Sequence, residues 1–191
     1  MEYPEIRNLV ALKMSADPKR WRHVEGTVRM AEKLALCNHV DCNKAMIASV
    51  LHDATKGEPD EMLLMRIHRQ FGSFRVENYP RKIWHAVAGV DYAKEDIGIN
   101  DSDILNAILF HTTGRENMSI LEKIVFVSDY LEETRAYADI ALRKQAYVDL
   151  DKTVEAILKR KKEYVESLHC KAVSLGSDMA FTDSLSEKGG N

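Results

Sequence analysis

An all-α fold is the class this sequence predicts, and three observations predict it. Apolar residues recur at three- and four-residue spacing through most of the 191-residue chain, no stretch of useful length alternates apolar and polar residues as a half-buried strand does, and no segment repeats. Two segments, Ala45 to Leu51 and Ile104 to Phe110, are apolar almost all round, so helices built from them lie inside the protein.

Taken in order, Pro4 to Met14 carries Ile6, Leu9, Val10 and Lys13 at helical spacing, a short first helix. Asp17-Pro18 supplies an N-cap and a first-turn proline for the second, along which Val24, Val28, Ala31 and Ala35 form one stripe with Met30 and Leu34 beside them. His23 falls on the first turn of that buried side. This helix should end near Asn38, and Asp41 caps the uncharged helix that runs into His52 and Asp53. Gly57-Glu58-Pro59-Asp60 breaks the pattern before an amphipathic helix over Glu61 to Phe71. A single helix is expected from Arg81 to Ile97, with His85 amid Ile83, Trp84, Ala86, Val87 and Val90. Asp101 caps the second apolar helix, which His111 terminates before the loop Thr112-Thr113-Gly114-Arg115. Ser119 with Glu122 reads as a capping box ahead of the apolar run Ile124 to Leu131, interrupted by Ser128 and Asp129. From Arg135 to Lys171 the chain is charged and alanine-rich, as suits one long solvent-washed helix or two, and Gly176 to Asn191 reads as a disordered tail.

Length and composition bound the function. The chain suits one compact domain over residues 1–175, with a core at about 20–135 and a helical C-terminal segment at about 136–175. With 45% hydrophobic and 30% charged residues, a formal net charge of -3 and no basic block, it is not a general nucleic-acid binder, although a local cluster of cations still suits an anionic substrate. Cys37, Cys42 and Cys170 form no CxxC pair and read as reduced thiols. Met1 to Glu5 lacks a signal-peptide start, and no apolar stretch approaches the roughly 18 residues of a membrane helix. A soluble, cytoplasmic protein is the expectation.

Five helices or helix ends each deliver a polar group into an apolar setting: His23, His52 with Asp53, His85, His111 and Asp129. A lone histidine on an apolar face is usually a hydrogen-bonded core residue. Four histidines and two carboxylates would each need a separate buried partner, whereas a shared metal site answers all of them together. Six donors exceed one tetrahedral ion, but two ions sharing Asp53 use them all, with His23, His52, Asp53 and Asp129 on one and His85, His111 and Asp53 on the other. Iron, manganese, zinc and cobalt all suit imidazole and carboxylate. Two ions about 3.5 to 4 Å apart make hydroxide available near neutral pH and bind a phosphoryl group from both sides, which is hydrolytic phosphate chemistry. No P-loop, GxGxxG or GxSxG pattern competes. His39, His68 and His169 read as surface residues, and Lys159-Arg160-Lys161-Lys162 as a solvated helical face flanked by Glu155, Glu163 and Glu166.

The order His, His-Asp, His, His, Asp resembles the HD-domain metal-dependent phosphohydrolases, with His52-Asp53 as the doublet that names them. His111-Thr112-Thr113-Gly114-Arg115, Met118-Ser119, Glu122-Lys123-Ile124 and Ser128-Asp129-Tyr130 with Glu132 and Arg135 resemble the YqeK family more closely, over about Arg20 to Arg135. The resemblance implies an HD-domain helical bundle that cleaves diadenosine tetraphosphate symmetrically to two ADP, by hydroxide attack at phosphorus. It implies the six residues above as ligands of two metal ions, with iron as the metal. Asp53, Lys56 and Arg115 are then the catalytic residues, and Lys56, Thr112, Thr113, Arg115 and Arg135 bind substrate. Ala54-Thr55 after the doublet and Glu132-Glu133-Thr134-Arg135 after the last ligand depart from the family pattern, which leaves open the path of the chain after Asp129. A different nucleotide is the alternative substrate, and a nucleotide-binding module with purely structural metals is the reading from another class. The C-terminal helix suits packing on the domain or on a second copy in a homodimer.

Overall fold

Side-chain caps set most of the helix starts in the computed structural model, which describes residues 1–72, 74–135 and 139–167. Among these residues there are α-helices and shorter helical turns and no strands, so the all-α class holds. Helix α1 (Tyr3–Lys13) opens on a reciprocal Glu2–Glu5 capping box with Pro4 in its first turn. Asp17 accepts from the Arg20 amide at 3.0 Å to start α2 (Pro18–Cys37). Asp41 accepts from the amides of Asn43 and Lys44 at the head of α3 (Cys42–Leu51). Helix α4 (Asp60–Phe71) follows Pro59.

The single helix expected over Arg81 to Ile97 is instead three pieces: a 3-10 turn at Arg81–Ile83, α5 (Trp84–Asp91) and a π-helical turn at Tyr92–Asp96. The side chains explain the break. Asp91, fully buried, receives Arg69 at 2.7 and 2.6 Å and Arg66 at 3.0 Å, while Asp96 receives Arg66 at 2.7 Å. The wider turn allows two carboxylates five residues apart to reach the same guanidinium of α4.

Asp101 accepts from the Ile104 amide at 3.1 Å and starts α6 (Ser102–Phe110). Ser119 caps α7 (Ile120–Leu131) by accepting from the Glu122 amide at 3.2 Å. Only half of the expected capping box forms there, because the Glu122 carboxylate takes both arms of Arg115 at 2.7 Å each. The C-terminal segment is two helices, α8 (Ile140–Ala146) and α9 (Leu150–Ser167). Neither is washed by solvent on all sides: Leu142, Ala146, Leu150, Thr153, Val154 and Ile157 are buried, and α9 lies on α7.

Helices α3 and α7 are central. The first packs against α1, α2, α6 and α7, and the second also against α2, α6, α8 and α9. Phe110, Phe126, Leu34, Leu51 and Ile108, from α2, α3, α6 and α7, are almost wholly removed from water. Cys37 and Cys42 are free thiols; Cys170, His169 and the expected tail at 176–191 lie outside the described residues. Among the described residues no helix is long and apolar enough to cross a membrane.

Candidate metal centre

Two central helices end where polar groups begin. Leu51 is the last residue of α3, and His52 and Asp53 follow in tight turns, 0% and 1% exposed. His111 follows Phe110 at the end of α6 in the same way, 1% exposed. In both cases the ring is turned by the helix it terminates: His52 Nδ1 donates to the Ser49 carbonyl at 2.6 Å, and His111 Nδ1 to the Ile108 carbonyl at 2.7 Å. Each bond puts the proton on Nδ1 and leaves a lone pair on Nε2, as a metal-binding imidazole requires. His23, from the second turn of α2, donates from Nδ1 to Glu132 Oε1 at 3.0 Å. His85 comes from α5, whose backbone is tied to the His52-Asp53 turn by the Thr55 hydroxyl donating to the His85 carbonyl at 2.8 Å.

The four Nε2 atoms converge. His23 and His52 Nε2 are 3.3 Å apart, and His85 and His111 Nε2 are 3.2 Å apart. Asp53 Oδ1 lies 3.2 Å from His85 and 3.7 Å from both His52 and His111, and its Oδ2 lies 4.0 Å from His23. Asp129 Oδ1, from α7, lies 3.0 Å from His23 and 3.6 Å from His52. Donor atoms of His23, His52 and Asp129, and separately of His52, Asp53 and His111, fall within 4.8 Å of one another. Lone pairs brought this close repel unless a cation lies among them, so the chemistry of this donor set fits a divalent metal.

Charge follows the same geometry. Burial pushes the Asp53 carboxyl up, but the neighbouring His52 and bonds to His111 and His85 overcome it and hold the group well below the usual carboxylate range. Asp129 behaves alike, with His23 and His52 overcoming burial. Burial pushes His111 down to about 4 and also lowers His85, so both rings are neutral near pH 7. For His23, burial is outweighed by Asp129 and Glu132, which raise its pKa.

Of the residues expected to meet phosphate, Lys56 lies 3.1 and 3.0 Å from the two Asp53 oxygens. Thr112 Oγ1 is 3.0 Å from His111 Nε2, and Arg135 donates to Asp129 Oδ1 at 2.7 Å. Thr113 instead donates to the Gly114 carbonyl at 2.9 Å. Arg115 is paired with Glu122 and stacked over Phe110.

Three residues that type and spacing alone do not mark adjoin these groups. Glu132, fully buried, orients His23 and also accepts from the Thr134 amide and hydroxyl at 2.6 Å each. Gly26 makes room for it, since a Cβ there would overlap Glu132 Oε2. A glycine inside an otherwise regular helical pattern was the available signal. The third is Lys161. It is not part of a solvated face as its neighbours Lys159, Arg160 and Lys162 are: it is half-buried and donates to the Thr112 carbonyl at 2.7 Å.

The model of the HD domain matches residues 20–134. The chain is 38% identical over 133 residues, 69% of its length and 71% of the relative's, to a symmetrical bis(5'-nucleosyl)-tetraphosphatase of Halalkalibacterium halodurans. It is 34% identical over 147 residues, 76% and 79% of the two lengths, to a protein of the same name from Bacillus subtilis. A solved structure described as a "predicted HD superfamily hydrolase involved in NAD metabolism" from Clostridium acetobutylicum superposes with a TM-score of 0.81 at 34% identity, over 90% of each chain. The chain therefore belongs to the HD-domain family, whose members depend on metal, and within it to the YqeK branch.

Proposed function

We propose that this protein is a metal-dependent hydrolase that cleaves dinucleoside tetraphosphates, diadenosine tetraphosphate among them, symmetrically to two nucleoside diphosphates. The observation that carries this is the convergence of four imidazole Nε2 atoms on Asp53 and Asp129. The activity for which the Halalkalibacterium and Bacillus relatives are named supplies the substrate class.

In this reading His23, His52, Asp53 and Asp129 hold one ion and His85, His111 and Asp53 the other, with iron as the metal. Ions bound there supply Lewis acidity toward phosphoryl oxygens and bring the deprotonation of water near neutral pH. The protein's own groups do the rest. Lys56, beside Asp53, offers a point charge to a phosphate oxygen. Thr112 and Thr113 offer hydroxyls at the same turn, and Arg135 both steadies Asp129 and presents its guanidinium. Glu122 orients Arg115 through Nε and Nη2, which leaves the Nη1 donors for phosphate. A single HD domain over 1–175, acting on a dissolved nucleotide in the cytoplasm, completes the proposal; the free Cys37 and Cys42 accord with it.

The test is an anaerobic assay of protein reconstituted with iron(II) or manganese(II), with diadenosine tetraphosphate as substrate and chromatographic identification of products. ADP as sole product, lost in His111→Ala, is the expected result. ATP with AMP, or no product with either metal, contradicts it.

A further inference from the structure

The buried face of α9 does not end with its apolar residues. Leu150, Thr153, Val154 and Ile157 form the stripe that packs inward, and Lys161 continues it one turn beyond Ile157. Its stem and ammonium cross the aromatic rings of α7, with Nζ 4.3 Å from the Phe126 centroid and 5.6 Å from that of Tyr130. Nζ then donates to the Thr112 carbonyl at 2.7 Å. The ammonium thus sits between the turn that follows His111 and the helix that carries Asp129.

What surrounds it is unusual for a half-buried lysine. Among the described residues it makes no ion pair with a carboxylate, and only one of its three donors has an oxygen acceptor. Burial, joined by repulsion from Arg135, Lys56 and Lys82 and opposed by Asp129, lowers its pKa to about 8. Lys56, Lys82 and Arg135, from three separate parts of the chain, thus each disfavour the charge on Lys161. A purely structural lysine would gain from a carboxylate in that place; an ammonium with cations near it and no carboxylate of its own is stabilised by a polyanion.

We propose that Lys161 is a substrate-binding residue, whose ammonium receives phosphate oxygens of a nucleoside polyphosphate lying across the metal centre. This role rests on the hydrolytic reading of the site. It makes α9 a part of the active site: the core at 20–135 would bind the nucleotide weakly without it.

The experiment compares metal-loaded wild type with Lys161→Met, which keeps the stem over Phe126 and Tyr130, and with Lys161→Arg, which keeps the charge. ADP binding is followed by calorimetry and diadenosine tetraphosphate hydrolysis by product analysis, with metal content and Tm measured on each protein. The expected result is a loss of about 10-fold in ADP affinity and a rise of about 10-fold in KM for Lys161→Met, largely recovered by Lys161→Arg. Metal content and Tm stay close to wild type. Unchanged ADP affinity in folded, metal-replete Lys161→Met overturns the proposal. A loss that comes with altered metal content or a lowered Tm overturns it too, because Lys161 then only holds the Thr112 turn. If wild type binds ADP but leaves the dinucleotide intact, the substrate reading fails while the ADP titration still judges Lys161.

Discussion

Asp53 and Asp91 are the same residue type with nearly the same burial, 1% and 0% exposed, yet their surroundings differ in kind. Asp91 is met by two guanidinium groups, Arg66 and Arg69, which carry a permanent positive charge and satisfy it within the protein. Asp53 is met by the rings of His52, His85 and His111 and by Lys56, whose side chain is 38% exposed. Burial keeps His85 and His111 neutral near pH 7, so they offer lone pairs where the arginines offer charge. The first cluster is complete and fastens α4 to α5 and the π-helical turn. The second is a set of donors directed at one place, which is completed by a cation from outside the chain.

The largest effect should come from breaking the open cluster. Asp53→Ala removes the carboxylate shared by both groups of imidazoles, and hydrolysis should fall to background with loss of bound metal. Breaking the closed cluster should act on a different quantity. Asp91→Ala leaves Arg66 buried without one of its carboxylates and should cost about 3 kcal/mol, read as a lower midpoint in chemical unfolding, with metal per folded molecule unchanged. A smaller effect sharpens the contrast: Glu132→Gln weakens the group that orients His23 and should reduce metal affinity roughly 10- to 100-fold, measured by metal titration. Least of all, Asp101→Ala removes the N-cap of α6 and should cost about 1 kcal/mol, leaving metal affinity as it was.

The open cluster was legible in the sequence because its members are polar residues stranded at the ends of apolar helices: His52 after Leu51 and His111 after Phe110. The closed one was not, because Arg66 and Arg69 look like the outer face of an amphipathic helix and Asp91 like the polar side of another. Asp96 joins them from the π-helical turn, which no spacing of side chains announced. Lys161 is hidden among its neighbours in the sequence for a related reason. In a run of four cations, helical phase alone distinguishes the one that faces inward, and that phase is set by Leu150, Val154 and Ile157 packing on α7. Ser119 and Glu122 had the spacing of a full capping box, but Arg115 offers Glu122 a charged partner where the Ser119 amide offers a neutral one.

The most direct measurement is metal stoichiometry per chain in wild type, Asp53→Ala and Asp91→Ala after the same anaerobic iron(II) reconstitution and desalting. Two ions in wild type, none in Asp53→Ala and two in folded Asp91→Ala is the predicted pattern. Wild type that retains no metal, or Asp53→Ala that retains as much as wild type, would contradict the assignment of this cluster as the metal centre.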